Sequence, residues 1–297
     1  MIDNQIIRPF FSVIVPTYER PDDLRKCLES LRFKKQLFAR QYEIIVTDDS
    51  KSKKCKELVT QEFPNVKWGK GKQNGPGGNR NAGVFRAKGE WIIFIDDDCI
   101  ADKDYLNSYL KAINDNPDII LFEGLIYPER PRKTWAECCP ENSCGGMFWT
   151  SNLCVKRTVF NKIEGFDERF RVAYEDIDFA YRIKTMGYKT KFVKEARVCH
   201  PWRTLRNEGN NWKPKGFEIN ELKLFIEKHP NANEHSSPTI YFRHLKRMIT
   251  SDLIKCLIRY RGNGLIVLVS QICTTILVIK LTTSLKLRLM YAQFSIN

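Results

Sequence analysis

The chain has 297 residues, of which 42% are hydrophobic, 12% aromatic and 28% charged. This much apolar material excludes a disordered polypeptide and suffices for one large α/β domain with appendages or for two ordinary domains. The excess of 49 Lys and Arg over 35 Asp and Glu gives a net charge of +14, which points to a polyanionic partner (nucleotide, phospholipid surface or nucleic acid) without choosing among them.

In chain order, residues 12–15 read as a buried strand stopped by Pro16. Pro21 then opens a helix with Leu24, Cys27, Leu28 and Leu31 on one face. Residues 43–47 read as a second strand ending in Asp48 and Asp49. A glycine-containing loop over 74–81 leads into a helix that finishes near Gly89, and residues 91–95 form a third strand running directly into Asp96, Asp97 and Asp98. Strand patterns follow at 119–122 and 149–155, separated by a polar, proline-containing loop. A helix is expected over 175–186 with Gly187 as its cap, then edge elements at 191–193 and 196–199 before His200. Strands alternating with helices predict a mostly parallel sheet in which ligands bind beyond the carboxyl ends of the strands.

The ten cysteines are scattered singly, with no CxxC pair. Cys138, Cys139 and Cys144 are the one cluster and lack a second paired-ligand motif, so reduced thiols in a reducing compartment are expected rather than zinc or disulfides. Residues 1–8 carry no apolar signal core, which places the expected location in the cytoplasm. After about residue 245, apolar segments at 253–258 and 264–279 are bracketed by Arg259, Arg261, Lys280, Lys286 and Arg288. The longer run falls short of about 20 residues, so an interfacial or re-entrant anchor on an anionic leaflet is expected rather than a spanning helix or a dimerisation element.

Three adjacent carboxylates at a strand end repel one another unless a cation lies among them, and Mg²⁺ or Mn²⁺ takes oxygen ligands together with substrate phosphates. A solvated acidic turn is the alternative. Four motifs occur in order: residues 12–19 (SVIVPTYE), 43–50 (EIIVTDDS), 80–83 (RNAG) and 94–98 (FIDDD). Together they resemble family 2 glycosyltransferases of the GT-A fold, over about residues 10–205.

The resemblance implies a GT-A type Rossmann-like mixed sheet with helices on both faces. It also implies that Pro16, Thr17, Tyr18 and Glu19 line the base and ribose pocket, that Asp48 or Asp49 bonds the base or its ribose, and that Arg80 lies near the base or diphosphate. Asp96 would touch the ribose, with Asp97 beside it, and Asp98 would ligate Mn²⁺ or Mg²⁺, with His200 a further metal ligand. Pro16 and Tyr18 could instead simply end a strand, and Arg80 could be a surface charge on its helix. Inverting sugar transfer needs a carboxylate to take the proton of the acceptor hydroxyl; the resemblance assigns this to Asp176, with Glu175 orienting it or binding acceptor hydroxyls. A first helical turn made acidic to complement the dipole is the alternative.

Donor-sugar choice is expected to rest on residues 142–152 and the loop before Glu175. Trp149 and Trp202 are either sugar-stacking walls or core. Processive relatives carry Gln-x-x-Arg-Trp, whereas this chain has Pro201-Trp202-Arg203, so transfer of one sugar per encounter is expected. The expected organisation is a catalytic domain over 1–205, a helical extension over 206–245 and a C-terminal membrane-associating segment over 246–297. The expected partners are a nucleotide-sugar donor, a glycan or lipid-linked acceptor and an anionic membrane surface, without nucleic acid. The rival from another class is a non-catalytic carbohydrate- or polyanion-binding protein. An acidic pocket speaks against it, because it repels phosphates unless a metal is present.

Overall fold

Alternate residues of the apolar runs feed two different cores, which is how a sheet covered on both faces is written in sequence. A computed structural model describes residues 8–204, 216–232, 238–262 and 264–294. Its first unit, Met1–Glu129 with Pro140–Pro201, contains β1 (Phe11–Thr17), α1 (Pro21–Ser30), β2 (Tyr42–Asp48), α2 (Lys54–Glu62), β3 (Val66–Lys70), α3 (Pro76–Arg86), β4 (Trp91–Ile95), β5 (Ile100–Ala101), α4 (Tyr105–Asp115) and β6 (Leu121–Pro128). After β7 (Glu137–Cys138), which belongs to the second unit, come β8 (Asn152–Lys156), α5 (Arg157–Lys162), α6 (Glu175–Thr185) and β9 (Thr190–His200).

The sheet order is β3-β2-β1-β4-β8-β6-β9-β5. The β3-β2-β1-β4 half is parallel, and β8 turns the sheet by pairing antiparallel with both β4 and β6. Trp91, Ile93 and Ile95 of β4 join α1, α2 and α4 in one core, while Ile92 and Phe94 join α3, α5 and α6 in the other. This is the mixed α/β sheet with helices on both faces that the sequence predicts.

Three local expectations change. Helix α3 begins at Pro76, inside the stretch read as loop. Gly75 takes φ +102° there, and a Cβ on it would lie 2.3 Å from the Arg171 carbonyl oxygen; Pro76 at the first helical position has no N–H to satisfy. The two expected edge pieces near 191–199 are one interior strand, β9, lying between β6 and β5. Its register against β6 jumps from Gly124↔Val193 to Leu125↔Arg197, and this bulge breaks the alternation that would have marked one strand. Strands β6 and β8 are also offset toward the C-terminus from the expected 119–122 and 149–155.

The second unit comprises Arg130–Cys139 and Trp202–Asn297, so it takes in a segment that the sequence assigns to the first domain. Here β7 (Glu137–Cys138) pairs antiparallel with β10 (Arg203–Thr204). The helices are α7 (Gly216–Lys228), α8 (Pro238–Arg247), a π-helical turn (Met248–Asp252), α9 (Leu253–Ile258) and α10 (Leu265–Phe294). Residue 205 of the expected catalytic domain and residues 206–215 and 233–237 of the expected extension lie outside the described residues. Trp135, Met248, Cys256, Tyr260 and Leu268 form this unit's own core. The apolar run at 264–279, short for a bilayer by sequence, is part of one 30-residue helix, α10, with a 21-residue apolar stretch at Leu265–Leu285.

Candidate active site

A cavity of about 610 Å³ opens beyond the carboxyl ends of β1, β2 and β4, lined by Pro16, Thr17, Tyr18, Asp49, Arg80, Asp96 and Asp97 among others. Tyr18 is 55% exposed and lines this space. The ends of these three strands collect at one crevice, as open parallel sheets arrange it.

Each of the three aspartates has its own partners. Asp96 accepts from Arg80 Nη2 at 2.7 Å and from Ser151 Oγ at 2.7 Å. Burial works to raise its pKa, but the Arg80 charge and these bonds hold it below the usual carboxylate range. Asp97 accepts from Thr17 Oγ1 at 2.7 Å and from Arg20 Nη1 at 3.2 Å, yet burial pushes it up to about 7. Asp98 lies 3.4 Å through Oδ2 from Arg20 Nη1 and 3.3 Å through Oδ1 from His200 Nε2.

Asp98, Cys99 and His200 place three potential ligand atoms within 4.8 Å of one another, all three residues buried. His200 Nδ1 is 2.8 Å from the Pro201 carbonyl oxygen, which can only accept, so Nδ1 carries a proton and Nε2 is the nitrogen turned to the carboxylate. Such an Nε2 beside a carboxylate oxygen calls for a second proton or a cation. Burial pushes the Cys99 thiol well up, and a thiol is a soft donor that Mg²⁺ and Mn²⁺ favour less than oxygen. The remaining donors, one carboxylate oxygen and one imidazole nitrogen, fit a divalent cation completed by phosphate oxygens and water.

Arg80, on the first turns of α3, is 5% exposed, so it is not a surface helix charge. Its Nη2 holds Asp96 and its Nη1 donates to Glu175 Oε1 at 3.0 Å. One guanidinium thus ties the end of β4 to the start of α6. Gly77 permits this approach, because a Cβ there would already meet Glu175 Cβ at 3.3 Å. Three carboxylates around one cation cannot all ionise freely. Burial first, then mutual repulsion, raises Glu175 to about 8; burial raises Asp176 to about 6. Asp176 is half-buried and its Oδ1 accepts from the Ile177 amide at 2.8 Å.

At the end of β2, Asp48 and Asp49 divide their roles. Asp48 is buried and accepts from the Ser50 amide at 2.8 Å and Trp68 Nε1 at 3.1 Å. Asp49 lines the cavity, and its Oδ1 accepts from the Gln73 amide at 2.9 Å. Glu19 turns away to brace the neighbouring loop, taking the amides of Lys51 and Ser52 at 2.7 and 2.9 Å. The 71–75 loop is in turn held by Glu168, which accepts from Lys72 Nζ at 2.5 Å, Asn74 Nδ2 at 2.6 Å and Asn81 Nδ2 at 3.0 Å.

Residues 142–152 also change in meaning. Asn142 and Asn152 turn inward, the first to Glu123 and the second to Tyr105 and Tyr109. The Glu123 carboxylate also takes the amides of Gly146, Met147 and Phe148 at 2.5, 3.1 and 3.0 Å, which leaves Ser143, Cys144 and Met147 exposed. Trp149 packs against the first core, and Trp202 Nε1 donates to the Arg130 carbonyl at 2.7 Å within the second unit. Sequence reasoning missed Arg20, Ser151 and Glu168. Arg20 alone carried a signal, as a cation directly after the Thr17-Tyr18-Glu19 strand end.

The glycosyl transferase family 2 model matches residues 12–175. The chain belongs to this family. It is 28% identical over 186 residues to an uncharacterized glycosyltransferase of Haemophilus influenzae, covering 58% of this chain and 61% of that protein. It is 38% identical over 126 residues to the GalNAc(5)-diNAcBac-PP-undecaprenol beta-1,3-glucosyltransferase of Campylobacter jejuni, covering 41% and 40%. The matched segments therefore span less than two thirds of both relatives.

Among solved structures, Staphylococcus aureus TarS 1-349 in complex with UDP superposes with a TM-score of 0.51 at 23% identity, covering 64% of this chain and 60% of that one. The Pyrobaculum calidifontis mannosyltransferase PcManGT in complex with GDP-Man and Mn²⁺ gives 0.55 at 20% identity, covering 76% and 65%. These likenesses establish the fold, which is that of GT-A glycosyltransferases.

Proposed function

We propose that the chain is an inverting glycosyltransferase that moves one sugar from a nucleotide-diphospho-sugar, a UDP-sugar, to a glycan or lipid-linked acceptor in cell-envelope polysaccharide synthesis. It works at the cytoplasmic face of a membrane, attached peripherally or monotopically. The observation that carries this reading is the buried Arg80 bridge, which fixes the strand-end aspartates and the Glu175-Asp176 pair in one frame. The glucosyltransferase name of the Campylobacter relative and the UDP complex of TarS support the donor and acceptor classes.

Pro16 and Tyr18 flank the base, and Asp49 accepts from the base or ribose. Asp98 and His200 would hold Mn²⁺ or Mg²⁺, the imidazole favouring Mn²⁺; when bound, the cation offsets the diphosphate charge and stabilises the departing nucleoside diphosphate. Arg20, half-exposed beside Asp97 and Asp98, adds positive charge at the same place. Asp176, ionised at neutral pH yet more basic than an ordinary aspartate, takes the proton of the acceptor hydroxyl. As the hydroxyl oxygen bonds to the anomeric carbon, the bond from that carbon to the diphosphate breaks and its electron pair leaves with the nucleotide. Glu175 keeps its proton at neutral pH, so Asp176 does not face a second full negative charge.

The first test is calorimetric titration with UDP and GDP, with and without Mn²⁺. Metal-dependent UDP binding is expected. Binding of neither nucleotide under any metal condition would sink the reading and favour a non-catalytic carbohydrate- or polyanion-binding protein on the same fold.

A further inference from the structure

Unlike the helices around the sheet, α10 is apolar on its outward side as well as on its protein-facing side. Its buried residues are Val267, Leu268, Ile279 and Leu285 with Ser270, Thr275 and Thr282, while Ile266, Val269, Ile276 and Leu277 are each at least 40% exposed. Spacings of three, ten and eleven residues put those four on one face. The buried hydroxyls of Thr275 and Thr282 donate to the carbonyls of Gln271 and Val278 at 2.8 and 2.9 Å, and Gln271 Oε1 accepts from Trp135 Nε1 at 3.1 Å. The inward polar groups are therefore satisfied within the protein. Helix α9 shows the same outward bias, with Ile254, Leu257 and Ile258 exposed by 57, 49 and 76%. In water these faces would leave a large apolar surface uncovered; in hydrocarbon they are the favoured arrangement.

The sequence between Arg261 and Lys280 carries no charge, and Lys255, Arg259, Arg261 and Lys280 are exposed at or near the ends of these faces. Cations in those places suit anionic headgroups. The stretch Leu265–Leu285 is, at about 1.5 Å per residue, long enough to cross a bilayer. Its neighbours decide otherwise. The inward side packs on α7 and α8, which bear the Lys223–Glu227 pair and exposed Arg247, and such charges are expensive to bring to the bilayer centre.

We propose that the outward faces of α9 and α10 are immersed in the acyl region of an anionic leaflet, with α10 lying in the membrane plane and its hydroxyl-bearing side on the protein. The proposal rests on the membrane placement given above and names the surface that achieves it. The occupant is lipid rather than a second copy of the chain, because the cations flank the apolar faces where headgroups would lie.

The test floats the full chain with vesicles of phosphatidylcholine, alone or mixed with phosphatidylglycerol, beside the Val269→Asp/Ile276→Asp double variant. The parent is expected to float with the mixed vesicles, and the variant's bound fraction to fall at least about tenfold, with melting temperature and UDP affinity unchanged. Undiminished flotation of the variant overturns the proposal. So does a parent that ignores vesicles but is a dimer which the variant makes monomeric. Loss of UDP binding in both proteins would tell against the transferase reading while leaving the flotation result to stand by itself.

Orientation is read with a fluorophore placed in turn at Ile266→Cys, the exposed native Cys273 and Lys280→Cys, with the exposed Cys138 and Cys144 changed to Ser. Depth quenching should give similar depths at all three, and a graded series across the bilayer would overturn the in-plane geometry.

Discussion

Asp49 and Asp96 each stand one residue beyond a parallel strand, yet the fold treats them differently. Hydrogen bonds among the described residues reach only Oδ1 of Asp49, from the Gln73 amide, so its second oxygen remains available to a ligand. Both oxygens of Asp96 are taken, by Arg80 and Ser151. The proposed nucleotide contacts are thus carboxylates held by loop amides, and the proposed transfer groups are carboxylates braced by buried charge. Changes at the first should register in affinity, and changes at the second in rate and stability.

The largest effect is expected from Asp176→Asn, which should cut transfer by about a thousandfold while UDP binding stays within error. In the parent, kcat should rise with pH through about 6 as Asp176 ionises. Transfer at the parent rate would remove Asp176 as the base.

Arg80→Met should follow, because it leaves Asp96, Glu175 and Asp176 crowded without their cation. The expected loss is about 3–5 kcal/mol of stability, read as a fall in melting temperature. Arg80→Lys, with a single point charge, should recover only part of it.

Glu175 gives a pH-dependent version of the same contrast. Its folded pKa, about 8, lies above its ordinary 4.5, so its contribution to stability is present below about 4.5 and is lost as pH rises through about 8. Thermal melts should show the parent losing on the order of a few kcal/mol across that window relative to Glu175→Gln. A parallel pH dependence in the two proteins would mean that Glu175 is ionised throughout.

At the nucleotide end, Asp49→Asn should weaken UDP binding about tenfold, or about 1.4 kcal/mol, with kcat unchanged. The smallest effect is expected of Glu168→Gln, which loosens the 71–75 loop. A rise in donor KM of about threefold, with little change in kcat, is expected from the loss of hydrogen bonding. A fall in kcat alone would instead place Glu168 with the transfer end.

The strand-end acids were legible because an apolar run followed at once by carboxylates is a one-dimensional signal. The sheet with helices on both faces was legible for a similar reason, since alternate residues of β4 serve different cores. Arg20, Ser151 and Glu168 were not, since each acts on residues 77, 55 and up to 96 positions away and nothing local marks such a partner. A bulge interrupts the periodicity of β9, so its sequence reads as two pieces, and the start of α3 is hidden because glycines at 77 and 78 look like loop when their task is close packing. In α10 the apolar content was visible, but which side faces protein depends on neighbours such as Trp135 that lie 136 positions away.

The Glu123 carboxylate bears on how a ligand would be met. By gathering three successive amides and the Asn142 side chain, it fixes the 145–148 turn during folding, so the entropy of ordering that backbone is already lost before any sugar arrives. A segment set in this way is a preformed surface, and a ligand that met it would find its shape already cast in the folded chain.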